Sequence, residues 1–146
     1  MLKRYTFWLS AAVLFQLLTA VLHSLSLFVR SEPANDTERQ LQTLMTTYRL
    51  DAGAGFHPST ADLFTALSSC FSFVCLLGGL TLGHLLLKHT EPKLMRGLIG
   101  INVVIFGAIF VVMAVFTFLP PIVFSGLIFI NLLAAYLVVP KIESTI

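Results

Sequence analysis

Few side chains in this sequence could do chemistry, and most of them flank or lie within one polar segment. His23 precedes the segment and Asp62 follows it, and four more candidates lie between them: Tyr48, Arg49, Asp51 and His57. Imidazole, carboxylate and guanidinium groups held together could bind a polar head group, a proton or a metal ion. A carboxylate in the first turn of a helix also has an ordinary capping use. The sequence therefore predicts a candidate binding site here, and a purely structural cluster remains the alternative.

The spacing of the other reactive residues disfavours several kinds of site. A metal needs three or four converging ligands, and these histidines and aspartates have no recognised ligand spacing. Cys70 and Cys75 do not form the Cys-x-x-Cys motif of thiol oxidoreductases. His23 and His84 lie roughly 25 Å apart along the membrane normal, too far to hold a haem together. We therefore expect no metal, no cofactor and no catalytic site.

The composition points to a lipid environment. Of 146 residues, 57% are hydrophobic and only 11% are charged, whereas soluble domains have about 25% charged residues. The net charge of +2 is too small to indicate a nucleic-acid partner. The length suits a single membrane domain over residues 1–146.

Four apolar runs are each long enough to cross a bilayer, which needs about 20 residues. The first is too long for the apolar region of a signal peptide, and no small-residue cleavage site follows it. Ser59 and Asp62 predict a capping box at the start of the second run. The fold class is therefore an all-α bundle of four transmembrane helices, over residues of about 5–29, 60–87, 94–118 and 121–139.

The loop over residues 30–57 carries a fifth, shorter helix. Thr37 and Gln40 could form its capping box. Apolar residues then recur at the spacing of one helical face, which predicts an amphipathic surface helix over about 37–50. The residues on that face are Leu41, Leu44, Met45 and Tyr48.

Small residues recur every fourth position on the second transmembrane helix, at Cys75, Gly79 and Gly83. Such a stripe lets another helix backbone approach closely, either within the chain or in a partner. Glycines of the third helix are the expected counterparts, and Asn102 and Asn131 could bond across helices. The expected partners are the lipid bilayer and, through the Gly79 and Gly83 face, a membrane protein or a second copy.

The distribution of basic residues predicts the orientation, because Lys and Arg are enriched on the cytoplasmic side. Four spans place both termini on one side, where six basic residues lie against three on the other. Both termini are then cytoplasmic and the loop is extracytoplasmic. The six are Lys3, Arg4, Lys88, Lys93, Arg96 and Lys141, and the three are Arg30, Arg39 and Arg49.

Three short stretches carry a family likeness: His-Ser at 23–24, Thr-Thr-Tyr-Arg at 46–49 and Ser-Thr-Ala-Asp-Leu-Phe at 59–64. They resemble an uncharacterised family of small four-helix bacterial membrane proteins. The resemblance implies a multi-pass protein of the bacterial inner membrane and supplies no activity.

The sequence thus predicts a small membrane protein without enzymatic activity, acting as an accessory or structural subunit. One alternative is a binder or carrier of a small amphiphile or ion at the cluster of His23 and Asp62. Another is a membrane redox enzyme that uses Cys70 or His23.

Overall fold

The structure is a computed structural model that describes residues 4–29 and 32–140. Lys3, Arg30 and Lys141, which entered the orientation count, lie outside these ranges. Every regular element in the described ranges is a helix: α1 Tyr5–Ser26, α2 Asp36–Thr47, α3 Thr60–Leu87, α4 Pro92–Phe116 and α5 Leu119–Val138. Four of them, α1, α3, α4 and α5, are long and apolar enough to cross a membrane. The predicted class, an all-α membrane bundle with one short extra helix, is confirmed.

The helix ends differ from the predicted ones by a few residues, for local reasons. α1 ends at Ser26, and the N–H groups of the next three residues bond to carbonyls three positions back. Such tighter bonding is common where a helix terminates. α4 begins at Pro92 and α5 has Pro120 and Pro121 in its first turn, because the first turn has no use for the missing N–H.

The cap of α2 lies two residues before the predicted one, at Asn35, and the helix spans Asp36–Thr47. Asn35 Oδ1 accepts a hydrogen bond from the Glu38 N–H at 2.9 Å, and Glu38 Oε2 accepts one from the Ala34 N–H at 2.7 Å. The predicted box of Thr37 and Gln40 is therefore wrong. Asn35 takes the capping position because Asn is a stronger helix cap than Thr.

The chain divides into two compact units. The first contains α1 as far as Thr19, α3 from Cys75 onward, and all of α4 and α5. A Cβ on Gly79 would lie 2.9 Å from Leu17 Cδ2, and one on Gly83 would lie 3.2 Å from Val13 Cγ1. Since Cys75 is fully buried as well, the stripe of small residues on α3 packs inside the chain, with its glycines against α1.

In the contact between α4 and α5, each helix places an aromatic ring against a glycine of the other. A Cβ on Gly107 would lie 3.0 Å from Phe129, and one on Gly126 would lie 3.1 Å from Phe110. The two phenyl rings stack with their centroids 6.1 Å apart. The glycines of α4 thus receive rings from α5 and are not counterparts of the α3 stripe. Gly97, in contrast, has open space beside it.

Arg96, near the start of α4, is bonded to the end of α5. Its Nη1 donates to the carbonyl oxygens of Tyr136 at 3.0 Å and Val139 at 3.1 Å. Its guanidinium also lies 4.3 Å from the centroid of the Tyr136 ring. The last carbonyls of a helix have no partner within the helix, so this arginine both caps α5 and ties it to α4.

The first unit also buries amide side chains. Gln16 is fully buried, and neither amide atom has a hydrogen-bond partner in the described part of the chain. A Cβ on Gly78 would lie 2.8 Å from Gln16 Nε2 and 3.2 Å from Asn102 Oδ1. The Nδ2 groups of Asn102 and Asn131 donate to Leu98 and Leu127, each within its own helix and not across helices.

Candidate functional site

The second unit, residues 20–74, contains α2, the following loop and the candidate site. After α2 the chain forms a hairpin, in which Arg49 pairs with Ser59 in an antiparallel bridge. The Leu50 N–H donates to Pro58 at 2.9 Å. The tip contains Gly53 and Gly55 with φ of 77° and 82°, values that favour glycine. This hairpin returns the chain to the first turn of α3.

The carboxylate of Asp62 accepts two hydrogen bonds at that point. Oδ2 accepts from the Ser59 N–H at 2.9 Å and from Arg49 Nη1 at 2.8 Å. Ser59 Oγ in turn accepts from the Asp62 N–H at 3.1 Å. The predicted capping box of Ser59 and Asp62 is confirmed, and Arg49 is its third member. We call this three-residue set the latch, because it fastens the hairpin to α3.

The latch leaves little unpaired charge to receive a ligand. The Arg49 and Asp62 side chains are 57% and 59% exposed, and they are each other's ion-pair partner. Exposed pairs of this kind add at most about 1 kcal/mol of stability, because water and salt screen them. The chemistry of the latch is therefore that of a structural clamp.

An apolar groove lies on the other side of the latched segment. Tyr48 and Leu50 flank Arg49 in extended chain, so their side chains point away from that of Arg49. Thr60 and Phe64 are four residues apart on α3, on the face opposite Asp62. Together with the apolar face of α2 these residues line an open groove of about 520 Å³: Leu41, Leu44, Met45, Tyr48, Leu50, Thr60 and Phe64.

The α2 side of the groove is uncovered. No residue of α2 is buried, and Leu41 and Leu44 remain 54% and 59% exposed. Polar side chains occupy the other faces, including an ion pair of Arg39 with Asp36 at 3.4 Å. An amphipathic helix with its apolar face open is the arrangement expected where a chain meets a lipid surface.

The remaining candidates do not join this arrangement. His23 packs edge-on against Phe71, with the ring centroids 5.1 Å apart, and its buried Nε2 has no hydrogen-bond partner among the described residues. Asp51 Oδ1 accepts from the Gly53 N–H at 3.0 Å and shapes the hairpin tip. His57 is exposed. Of the six candidates, the structure brings together only Arg49 and Asp62.

No group of three His, Cys, Asp or Glu side chains in residues 4–29 and 32–140 could hold a metal ion. Ser72 Oγ is a further buried hydroxyl without a partner in this part of the chain. It lies next to Phe71, the residue that contacts His23.

Three groove residues were not predicted from the sequence: Leu50, Thr60 and Phe64. A usable signal was present, since apolar residues flank Arg49 at alternating positions and Phe64 follows Thr60 by one helical turn. The charged pair of Arg49 and Asp62 does not line the groove. The apolar side chains on either side of it form the concave surface.

Comparison with known proteins adds nothing to this geometry: no protein family, curated protein or solved structure matches the chain. The resemblance to small four-helix bacterial membrane proteins therefore stays a prediction.

Proposed function

We propose that this integral membrane protein binds the apolar chain of a membrane amphiphile in the groove and has no catalytic activity of its own. One observation carries the proposal. The open face of α2 and the first two turns of the membrane-spanning helix α3 line the same apolar concavity. An exposed apolar surface of this kind marks an interaction site.

The position of the groove along the chain favours a lipid occupant. α3, which is long and apolar enough to span a membrane, begins at Thr60, so a groove lined by Thr60 and Phe64 would open near the boundary between water and lipid. Interfacial helices bury their apolar faces at this depth, at the boundary between the head groups and the acyl chains. A chain of the bilayer can reach the groove without crossing water.

An accessory role beside a partner protein is a second proposal. The face of α3 that contains Gly79 and Gly83 was predicted to contact a partner or a second copy. In the structure it is covered by Leu17 and Val13 of α1. A partner would therefore have to use another surface. The groove is the better candidate, because it combines concavity with exposure.

The proposed setting is the bacterial inner membrane, with both termini cytoplasmic and the groove extracytoplasmic. We expect a green fluorescent protein fused to the carboxyl terminus to fluoresce in a bacterial host. Alkaline phosphatase fused there should be inactive, whereas the same enzyme inserted at Gly55 should be active. The reason is the excess of basic residues on the terminal side. The reverse pattern of activities would overturn the orientation.

The groove itself is tested by Leu44→Glu. Replacing the Leu44 side chain by a carboxylate removes apolar contact with a bound acyl chain. The loss is equivalent to about one methylene group, about 0.8 kcal/mol. We expect roughly fourfold weaker labelling of the protein in phosphatidylcholine nanodiscs by a photoreactive long-chain alcohol, with the cross-links mapped by mass spectrometry. Leu44 is more than half exposed, so the variant should fold normally.

Thr46→Glu is the matched control, because it adds the same charge to α2 about 160° around the helix from Leu44. Its labelling should equal that of the unmodified protein. The proposal fails if both variants are labelled like the unmodified protein, or if the cross-links lie outside α2 and the start of α3.

A further inference from the structure

The proposed function does not specify the head group of the amphiphile, and the following inference rests on that proposed function. We infer that the bound amphiphile has an uncharged, hydroxyl-bearing head group, such as a glycerol or other polyol ester of a single acyl chain. The inference follows from which side chains line the groove and which ones face away from it.

No charged side chain lines the groove. Arg49, the nearest cation along the chain, points away from Tyr48 and Leu50 and is paired with Asp62. An anionic head at the groove would lose part of its hydration without gaining a cation. A cationic head would likewise find no unpaired carboxylate there. Desolvation without a partner disfavours both kinds of charge.

Two lining residues carry hydroxyls, Tyr48 and Thr60. Within the described residues, Tyr48 bonds only through its backbone N–H, to Leu44, and the Thr60 hydroxyl has no partner. A hydroxyl both donates and accepts hydrogen bonds. When an acyl chain covers this wall and removes water, each hydroxyl needs a new partner, because a buried unpaired hydroxyl is unfavourable.

A neutral polyol head meets that need. Its own hydroxyls can donate to and accept from Tyr48 and Thr60, while the acyl chain lies against Leu44, Met45 and Phe64. Tyr48 suits such a boundary, since its ring is apolar and its tip is polar. Head and chain are then recognised by the same wall of the groove.

The test uses three photoreactive probes with the same sixteen-carbon chain and with glycerol, carboxylate or trimethylammonium heads. In phosphatidylcholine nanodiscs at pH 8, we expect the glycerol probe to label α2 and the start of α3 about threefold more strongly than either charged probe. Replacing both hydroxyls (Tyr48→Phe with Thr60→Val) should reduce glycerol labelling to the level of the charged probes, since each lost hydrogen bond has a modest effect. Thr43→Val, outside the groove, should leave it unchanged.

The outcomes separate the head-group inference from the proposed function. Equal labelling by all three probes at the groove would retain the groove and overturn the head-group preference. Stronger labelling by a charged probe would overturn it too, as would a double variant that keeps full glycerol labelling. Absence of labelling by every probe would remove the proposed function and the inference together.

Discussion

Gly79→Val is expected to lower the free energy of unfolding by about 2–3 kcal/mol, the usual range for overpacking a core. A Cβ at this position would lie 2.9 Å from Leu17 Cδ2, 3.0 Å from Leu17 Cγ and 3.3 Å from Gln16 Cβ. The branch carbon and the Gln16 stem cannot swing aside as a flexible side-chain end could. α1 would have to move away from α3, and contacts along the stripe would be lost. Titration of mixed micelles with dodecyl sulfate, followed by circular dichroism, measures the change.

Gly97→Val supplies the matched control, because it makes the same substitution in a membrane-spanning helix with nothing within 4 Å of the new Cβ. Valine has a higher helix propensity than glycine, so this variant should be as stable as the unmodified protein or slightly more so. Equal stability of the two variants would show that the α1–α3 contact is not close-packed at Gly79.

Asp62→Asn is expected to weaken binding of the long-chain alcohol in the groove by up to about fivefold, the most that an exposed ion pair usually contributes. The substitution removes the charge that holds Arg49 and leaves the hairpin fastened to α3 only by neutral hydrogen bonds. Tyr48 and Leu50, one wall of the groove, can then move away from Thr60 and Phe64. Arg49→Met should have the same effect, because it removes the other half of the pair. Photolabelling in nanodiscs compares the variants.

The double variant, Arg49→Met with Asp62→Asn, should bind no worse than either single variant, since the residues act as one unit. Asp51→Asn removes a carboxylate from the same hairpin and keeps an acceptor for the Gly53 N–H, so it should bind normally. Additive losses in the double variant would contradict the latch. So would an Asp51→Asn variant as weak as Asp62→Asn.

The transmembrane helices could be predicted because hydrophobicity and proline act locally. Thr60 and Leu87 bound α3 as expected, since the Ser59–Asp62 box and the polar linker lie in adjacent sequence. Partners across helices could not be predicted in this way. Gly100 and Gly107 look equivalent to the α3 stripe in the sequence, yet they receive rings from α5. Small residues indicate that another helix or side chain approaches closely, but they do not indicate which helix it belongs to.

The candidate site was predictable in its residues and not in its arrangement. Ionisable residues near one loop suggested a convergent cluster. The backbone geometry separates these residues. Neighbouring side chains of an extended segment point to opposite sides, and successive side chains of a helix are rotated by 100°. Arg49 and Tyr48 therefore serve different surfaces although they are adjacent. The assignment of Arg49 to the latch and Tyr48 to the groove depends on the hairpin, whose shape is determined by its tip and by the pairing of Arg49 with Ser59.

The pairing of Gln16 with Gly78 has a consequence for assembly of the helices in lipid. Apolar side chains are nearly interchangeable there, so they do little to fix how far one helix slides along another. An amide forced against a packed side chain is costly, because overpacking displaces both groups. One turn further along α3, the position equivalent to Gly78 is Leu82, a buried side chain. The amide fits only beside the glycine, and Gln16 thereby specifies a single register of α1 against α3.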